Sequence, residues 1–350
     1  MITEILKQEE YDQWLELVNQ ANSGSIYSYP DYLAVLSEVT GASFKILAVK
    51  ENKELVGGIG IFERKRIATR YIAPRLMLYY NGIVLRDYDS RYPSKCTSRH
   101  LKILEAIRET LSSSGYGKIV FKNRHPFMDA RVFLQAGWMV RPTYSYVAHI
   151  ANPDALWQKM EQNQRRLVKR CEDEKFIFSE SDDFEGFFNL HMGVHERKHA
   201  PLYLPYDQFK QYYNCLKNRN LCHLFTVKNK DGKMVAGQLA LTGGHPVTHT
   251  VSAAADPEYQ NLGINPFLRW YTFKQLAEWG YTHNDLTDAA LNMVTRFKSQ
   301  LGADLVVNLE VVSPSRMLYR FEDALLNSAD LAKRAMKKIK RLTLDRIFYK

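Results

Sequence analysis

Long apolar runs are missing from these 350 residues. No stretch approaches the ~18 uninterrupted apolar residues that a membrane-spanning helix needs. The opening segment, residues 1–14, is polar and acidic and lacks the apolar centre of a secretory signal. The expectation is therefore a cytoplasmic chain. Cysteine is scarce as well: Cys96, Cys171, Cys215 and Cys222 form no C-x-x-C pair. Nothing in that spacing suggests a disulfide framework, and the expectation is four reduced thiols. No Ser-His or Cys-His nucleophile arrangement is evident either, so a covalent enzyme intermediate is not called for.

What is present is an ordinary globular composition, 45% hydrophobic and 25% charged, in a chain long enough for two middling domains. The formal net charge is +10 with a pI near 9.2. That balance suits anionic partners such as nucleic acid, CoA, a nucleotide-linked sugar or an acidic membrane surface. A simply well-solvated surface would have the same balance.

The chain repeats itself. Leu111, Gly115 and Tyr116 recur as Leu276, Gly280 and Tyr281, each shifted by 165 residues. Arg131, Gln135 and Gly137 recur at the same shift as Arg296, Gln300 and Gly302. Upstream, residues 54–61 resemble residues 233–240 at a shift of 179. Each copy reads as a hairpin, a further strand, a helix, a strand, a short helix and a closing strand. In the first copy these are strands over 44–49, 55–62 and 77–85, a helix over 100–113, a strand over 118–122 and a closing strand over 139–150. In the second they are strands over 222–227, 234–241 and 248–255, a helix over 266–279, a strand over 283–287 and a closing strand over 305–312. Gly115 and Gly280 stand where a helix end needs a left-handed residue. Between the copies, residues 154–171, 185–200 and 206–217 read as helices. The division is residues 1–150, a degenerate copy, residues 151–330, the copy with a donor site, and residues 331–350, a basic helix.

The copies differ where chemistry is expected. Asp256–Pro266 joins a strand to a helix, with Gln260, Gly263, Ile264 and Asn265 in the turn and Pro266 suited to the first helical position. Free N–H groups and the helix dipole there make a cradle for phosphate. The first copy has Ser98 in place of Gly263, so one cradle is expected rather than two. A plain capped turn fits the same residues. Lys298 stands where the first copy has Phe133. A fixed cation would suit a carbonyl that develops negative charge during acyl transfer, worth roughly 3–4 kcal/mol. Asp285 and Asp288 lie at the end of the preceding strand, where ligands collect in such sheets. Arg165, Arg166, Lys169 and Arg170 form a basic cluster on a helix, suited to binding phosphate.

In order and spacing these segments resemble the GNAT-fold acyltransferases of the Fem type, the peptidoglycan-bridge aminoacyltransferases, and related envelope-polysaccharide acetyltransferases. The matching stretches are residues 137–147, 163–170, 235–239, 256–265, 280–286 and 296–302, within a span from about Glu54 to Val312. The resemblance implies an α/β (α+β) fold of tandem GNAT-like domains, mixed sheets flanked by helices, with a groove between them. It implies that Phe297 and Lys298 line the reacting centre and that Arg165, Arg166 and Lys169 hold an anionic acceptor. It puts the donor on Gln260, Gly263, Ile264 and Asn265. Apart from the resemblance, Asp285 or Asp288 at the strand end is the expected proton acceptor. The usual donor loop has a second glycine where this chain has Asn265. The implied activity is transfer of an acetyl or aminoacyl group to an amine or hydroxyl of an anionic envelope precursor or polysaccharide. The co-substrate is acyl-CoA or aminoacyl-tRNA, and no cofactor is tightly bound. The alternatives are a strictly tRNA-dependent peptidoglycan-type transferase and a non-catalytic RNA- or precursor-binding member.

Two features stand outside that pattern. His195-Glu196-Arg197-Lys198-His199, extended by His191, has the zinc-protease spacing. Its two central positions are charged, however, and Pro201 ends the helix at once. The expectation is no metal. Residues 331–342 form a basic stretch with Leu331, Ala335, Ile339 and Leu342 on one helical stripe, a candidate contact for anionic lipid or tRNA. That would put the protein at the inner face of a membrane.

Overall fold

A computed structural model of the chain describes residues 1–328 apart from 76 and 292. The expected basic helix at 331–350 lies outside the described residues. In chain order the first half has β1 (Ile2–Ile5), α1 (Tyr11–Gln20), α2 (Pro30–Thr40), β2 (Ser43–Glu51), β3 (Glu54–Lys65), β4 (Arg70–Ile72), β5 (Ile83–Leu85), α3 (Pro93–Ser113), β6 (Lys118–Asn123), α4 (Arg131–Gln135) and β7 (Met139–His149). Next come α5 (Pro153–Lys159), α6 (Gln162–Asp173), β8 (Ile177–Glu180), α7 (Phe184–Arg197) and α8 (Tyr206–Lys217). The second half has β9 (Cys222–Lys228), β10 (Met234–Leu241), β11 (Val247–Ala255), α9 (Pro257–Gln260), α10 (Ile264–Glu278), β12 (His283–Asp285), α11 (Met293–Gln300) and β13 (Asp304–Val312).

The repeat has a backbone reason. Gly115, Gly280, Gly137 and Gly302 have φ of +81°, +91°, +76° and +79°, so each pair of repeated glycines marks the same left-handed helix exit. Two expectations need correction. Residues 154–171 are two helices, broken where Met160 and Glu161 are extended. Residues 77–85 keep only β5 as strand, because Met77 takes φ +68° and the following residues turn inward to polar partners. The Tyr80 hydroxyl goes to Asp285, and the Asn81 amide meets Lys122 N–H and the Val120 carbonyl.

All thirteen strands join one mixed sheet, in the order β1-β2-β3-β4-β6-β13-β7-β12-β11-β10-β9-β8, with β5 also on β3. The closing strands are exchanged. β13 pairs with β6 of the first half (Val311 opposite Phe121), and β7 pairs with β12 of the second (Val147 opposite Asp285). β7 and β13 pair with each other along nine residues, so the halves are bound by continuous backbone hydrogen bonding. Each half packs its own core on α3 or α10. A third core is shared and contains Trp14, Tyr32, Phe187, Tyr212 and Leu239. Within it the hydroxyls of Tyr32 and Tyr212, 180 residues apart, lie 3.0 Å from each other. No described helix is long and apolar enough to cross a membrane.

Candidate active site

β11 and β12 run parallel for only three residue pairs, ending at His249 opposite Asp285. Beyond that point the strands part. β11 continues to Ala255 and turns through α9 into α10, while the chain after Asp285 leads to α11. A parting between parallel strands opens a crevice at their carboxyl ends, where ligands sit in such sheets.

Lys298 projects into this region from α11. Its ammonium donates to the carbonyls of Thr287 and Asp288, at 2.5 and 2.6 Å. Thr287 and Asp288 themselves take positive φ, +51° and +26°, which turns both carbonyls toward it. Burial, helped by the charge of Arg269, lowers the lysine to about 8. An ammonium has three donors, and among the described residues only two are used, so one remains for a further acceptor. Phe297 is half-buried against the second core and anchors the same turn of helix.

Asp285 and Asp288 are neighbours with opposite environments. Asp285 is fully buried; it accepts from the Tyr80 hydroxyl at 2.8 Å and the Thr287 N–H at 2.7 Å. Burial raises its carboxyl above the usual range, against the pull of those donors and of Arg124. His249 stands 3.9 Å from it, held neutral by burial, with neither ring nitrogen hydrogen-bonded among the described residues. Asn308 of β13 links Tyr80 to Ser145 of β7 at 3.4 and 3.1 Å. This polar cluster therefore draws on both halves. Asp288 is exposed. Tyr79 lies beside it: its hydroxyl bonds Thr287 and is pushed up to about 12 by burial, with Tyr203 and Asp288 adding to the shift.

Gly263 takes φ +101° at the start of α10. A Cβ there would lie 2.6 Å from Leu167 Cβ and 2.9 Å from the Leu167 carbonyl on α6. The glycine thus has a packing reason, the close approach of α6. The N–H groups of Leu262 and Gly263 turn back to Tyr259 and Gln260. Pro266 has no N–H and Phe267 N–H bonds Gly263, so Ile264 and Asn265 offer the two backbone donors left at this helix start. Ile264 is buried, Asn265 half-buried and Gln260 exposed.

On α6, Gln164, Val168 and Cys171 face inward and the basic residues face out. Arg165, Arg166 and Lys169 line a cavity of about 530 Å³ with Trp157, Gln162 and Asn163. Its start is braced to Lys298's own helix: Gln300 donates to Glu161 at 3.0 Å and accepts from Gln164 at 3.1 Å. The basic face and Lys298 therefore sit on connected elements.

His191, His195 and His199 do not converge. His191 and His195 turn inward with ring centres 4.3 Å apart, and Tyr203 packs on both. His191 Nδ1 lies 3.2 Å from Ser252 Oγ, and burial drops this histidine to about 4. His199 lies beyond the helix end, exposed, with φ +48°. Among the described residues no group of three His, Cys, Asp or Glu could hold a metal ion.

Sequence spacing does not point to Tyr79, Tyr80, Arg124, Ser145, His249, Arg269 or Asn308. They come from distant segments and meet only across the sheet. A mixed sheet flanked by helices and parted between β11 and β12 has the GNAT fold. Residues 158–299 match the family model for an acetyltransferase (GNAT) domain. Solved structures share this fold. FemX is similar at TM-score 0.69 and 15% identity, over 89% of this chain and 97% of that one. L-PGS from Bacillus licheniformis follows at TM-score 0.58 and 14% identity, over 93% and 98% of the two chains. A tandem GNAT protein from the clavulanic acid biosynthesis pathway is similar at TM-score 0.51 and 11% identity, over 90% and 99%. No curated protein matches the chain.

Proposed function

We propose that the protein transfers an acyl group to an amine or hydroxyl of an anionic acceptor, an envelope precursor or glycan, on the cytoplasmic side. The second unit, residues 151–330, supplies the donor site and the first, residues 1–150, the opposite wall. The observation that carries this reading is the Lys298 ammonium, held on two carbonyls at the parting of β11 and β12 with its third donor unused among the described residues. The acceptor nucleophile attacks the donor carbonyl and its new bond to carbon forms. The remaining lysine donor stabilises the negative oxygen, the bond to the leaving thiol or hydroxyl breaks, and that group takes a proton. Asp288 is the exposed carboxylate beside the site and takes the acceptor's proton; Asp285, enclosed by Tyr80 and Thr287, orients the loop. Arg165, Arg166 and Lys169 hold the acceptor's anionic group, with no tightly bound cofactor in the scheme.

For the donor, aminoacyl-tRNA is favoured over acyl-CoA. Leu167 fills the room that Gly263 leaves, and two backbone donors make a thin grip for a pyrophosphate. A broad basic face suits a polyanion better. Calorimetric titration with acetyl-CoA, CoA and charged tRNA tests both points. Micromolar CoA binding would reverse the choice of donor. Binding of tRNA without turnover of any acceptor would leave a non-catalytic binding protein.

A further inference from the structure

The described chain ends in a helical segment, residues 317–328, whose polarity is inverted. Its inward side is polar. Tyr319 and Glu322 are 5% and 4% exposed, whereas Met317 and Phe321 are 87% and 62% exposed. Glu322 accepts from the Ala68 N–H and the Thr69 hydroxyl. Asp323 pairs with Arg66 at 2.6 Å, and Arg66 also lies over the Tyr319 ring, 4.4 Å from its centre. These contacts pin the segment to the turn between β3 and β4 and settle which side faces out. That outer side has Met317, Leu318, Phe321 and Leu325, at spacings of one, four and eight from the first, which is one helical face. Ile67, 79% exposed, lies in the same turn that the helix grips.

The surroundings are basic. Arg64, Lys118, Arg316 and Arg320 have no ion pair with a described carboxylate, while Glu322 and Asp323 are used in the anchor. The sequence that follows, residues 329–350, holds eight Lys or Arg against two Asp. An outward apolar stripe inside a basic field has one natural occupant. RNA would satisfy the charge but would leave Phe321 and Leu325 against water or phosphate. A second copy of the chain would bring like charge to like charge. An anionic lipid surface takes the apolar side chains into its acyl boundary and pairs its headgroups with the cations.

We propose that residues 317–328, with Ile67, form a membrane-docking face that seats the protein on anionic lipid. The docking needs no particular acyl donor and stands apart from the transfer reaction. The test is co-sedimentation of the full chain with vesicles of phosphatidylcholine alone and of phosphatidylcholine mixed with phosphatidylglycerol. Wild-type protein partitions to the mixed vesicles, and added salt weakens the binding. Phe321→Glu with Leu325→Glu lowers the partition coefficient at least about tenfold, the effect of withdrawing large apolar side chains from lipid. Its melting temperature stays at the wild-type value, because both residues face outward. A chain ending at residue 328 has a weaker preference for phosphatidylglycerol, carried by Arg64, Lys118, Arg316 and Arg320, and keeps its stripe-dependent affinity. Equal partitioning of wild type and the double variant overturns the proposal. So does absence of vesicle binding, whether the double variant instead loses tRNA binding in a filter assay or loses a dimer in sedimentation velocity.

Discussion

Replacing Lys298 by methionine separates catalysis from stability, and the structure says by how much. The ammonium's remaining donor is the one proposed to meet a developing oxyanion, and loss of such a donor costs roughly 3 kcal/mol, about a hundredfold or more in kcat. The folded state, by contrast, gives up little. Methionine abandons the Thr287 and Asp288 carbonyls, at about 1–2 kcal/mol. It also removes a cation that the fold holds at a disadvantage: burial lowers Lys298 to about 8 from its ordinary 10.5. Because the unfolded chain binds that proton more tightly, the wild-type fold gains stability as pH rises between about 8 and 10.5. Below about 8 the full disadvantage is present, so the two effects of the substitution oppose each other at neutral pH. The expected result is a large loss of turnover with a small change in melting temperature. Activity also needs the charged form, so wild-type kcat should fall as pH rises through about 8. Lys298→Arg should lack that falling limb, since guanidinium stays protonated. The assay is release of free thiol from acetyl-CoA, or deacylation of charged tRNA, against a panel of amine and hydroxyl acceptors. Wild-type turnover in Lys298→Met, or a flat profile across pH 8 in the wild type, refutes the assignment.

Three further outcomes follow from the geometry. Gly263→Ala should destabilise the fold by about 1–3 kcal/mol in urea unfolding, since alanine at φ +101° is strained and its Cβ meets Leu167. An unchanged midpoint would mean that α6 does not press on this turn. Tyr80→Phe should cost about 1–3 kcal/mol by removing a donor from the buried Asp285 carboxyl, visible as a lower melting temperature with secondary structure intact. Arg165→Glu with Arg166→Glu should raise KM for an anionic acceptor tenfold or more and leave kcat within about threefold, because both residues are proposed to bind and not to react. A loss confined to kcat would place them at the reacting carbonyl instead.

How much of this was legible in the sequence depends on range. The 165-residue repeat, the hairpins and the helix exits at Gly115, Gly137, Gly280 and Gly302 follow from local pattern, because a left-handed exit and an apolar face are set by neighbours in the chain. The contrast of Lys298 with Phe133 could likewise be seen by laying one copy on the other. The break at Met160 and the turn at Met77 could not, since each is set by what the segment packs against. Nor could the exchange of closing strands: β7 and β13 have similar patterns, and only tertiary pairing decides which half each completes. The same holds for the site. Sequence spacing pointed to Lys298, the two aspartates and the basic helix. It is tertiary packing that makes Asp285 buried and Asp288 exposed, sets Tyr80 on the former, and fills Gly263's open side with Leu167. Local pattern acts through adjacent residues, whereas burial and charge pairing are decided by groups as much as 257 residues away that meet only when the sheet closes.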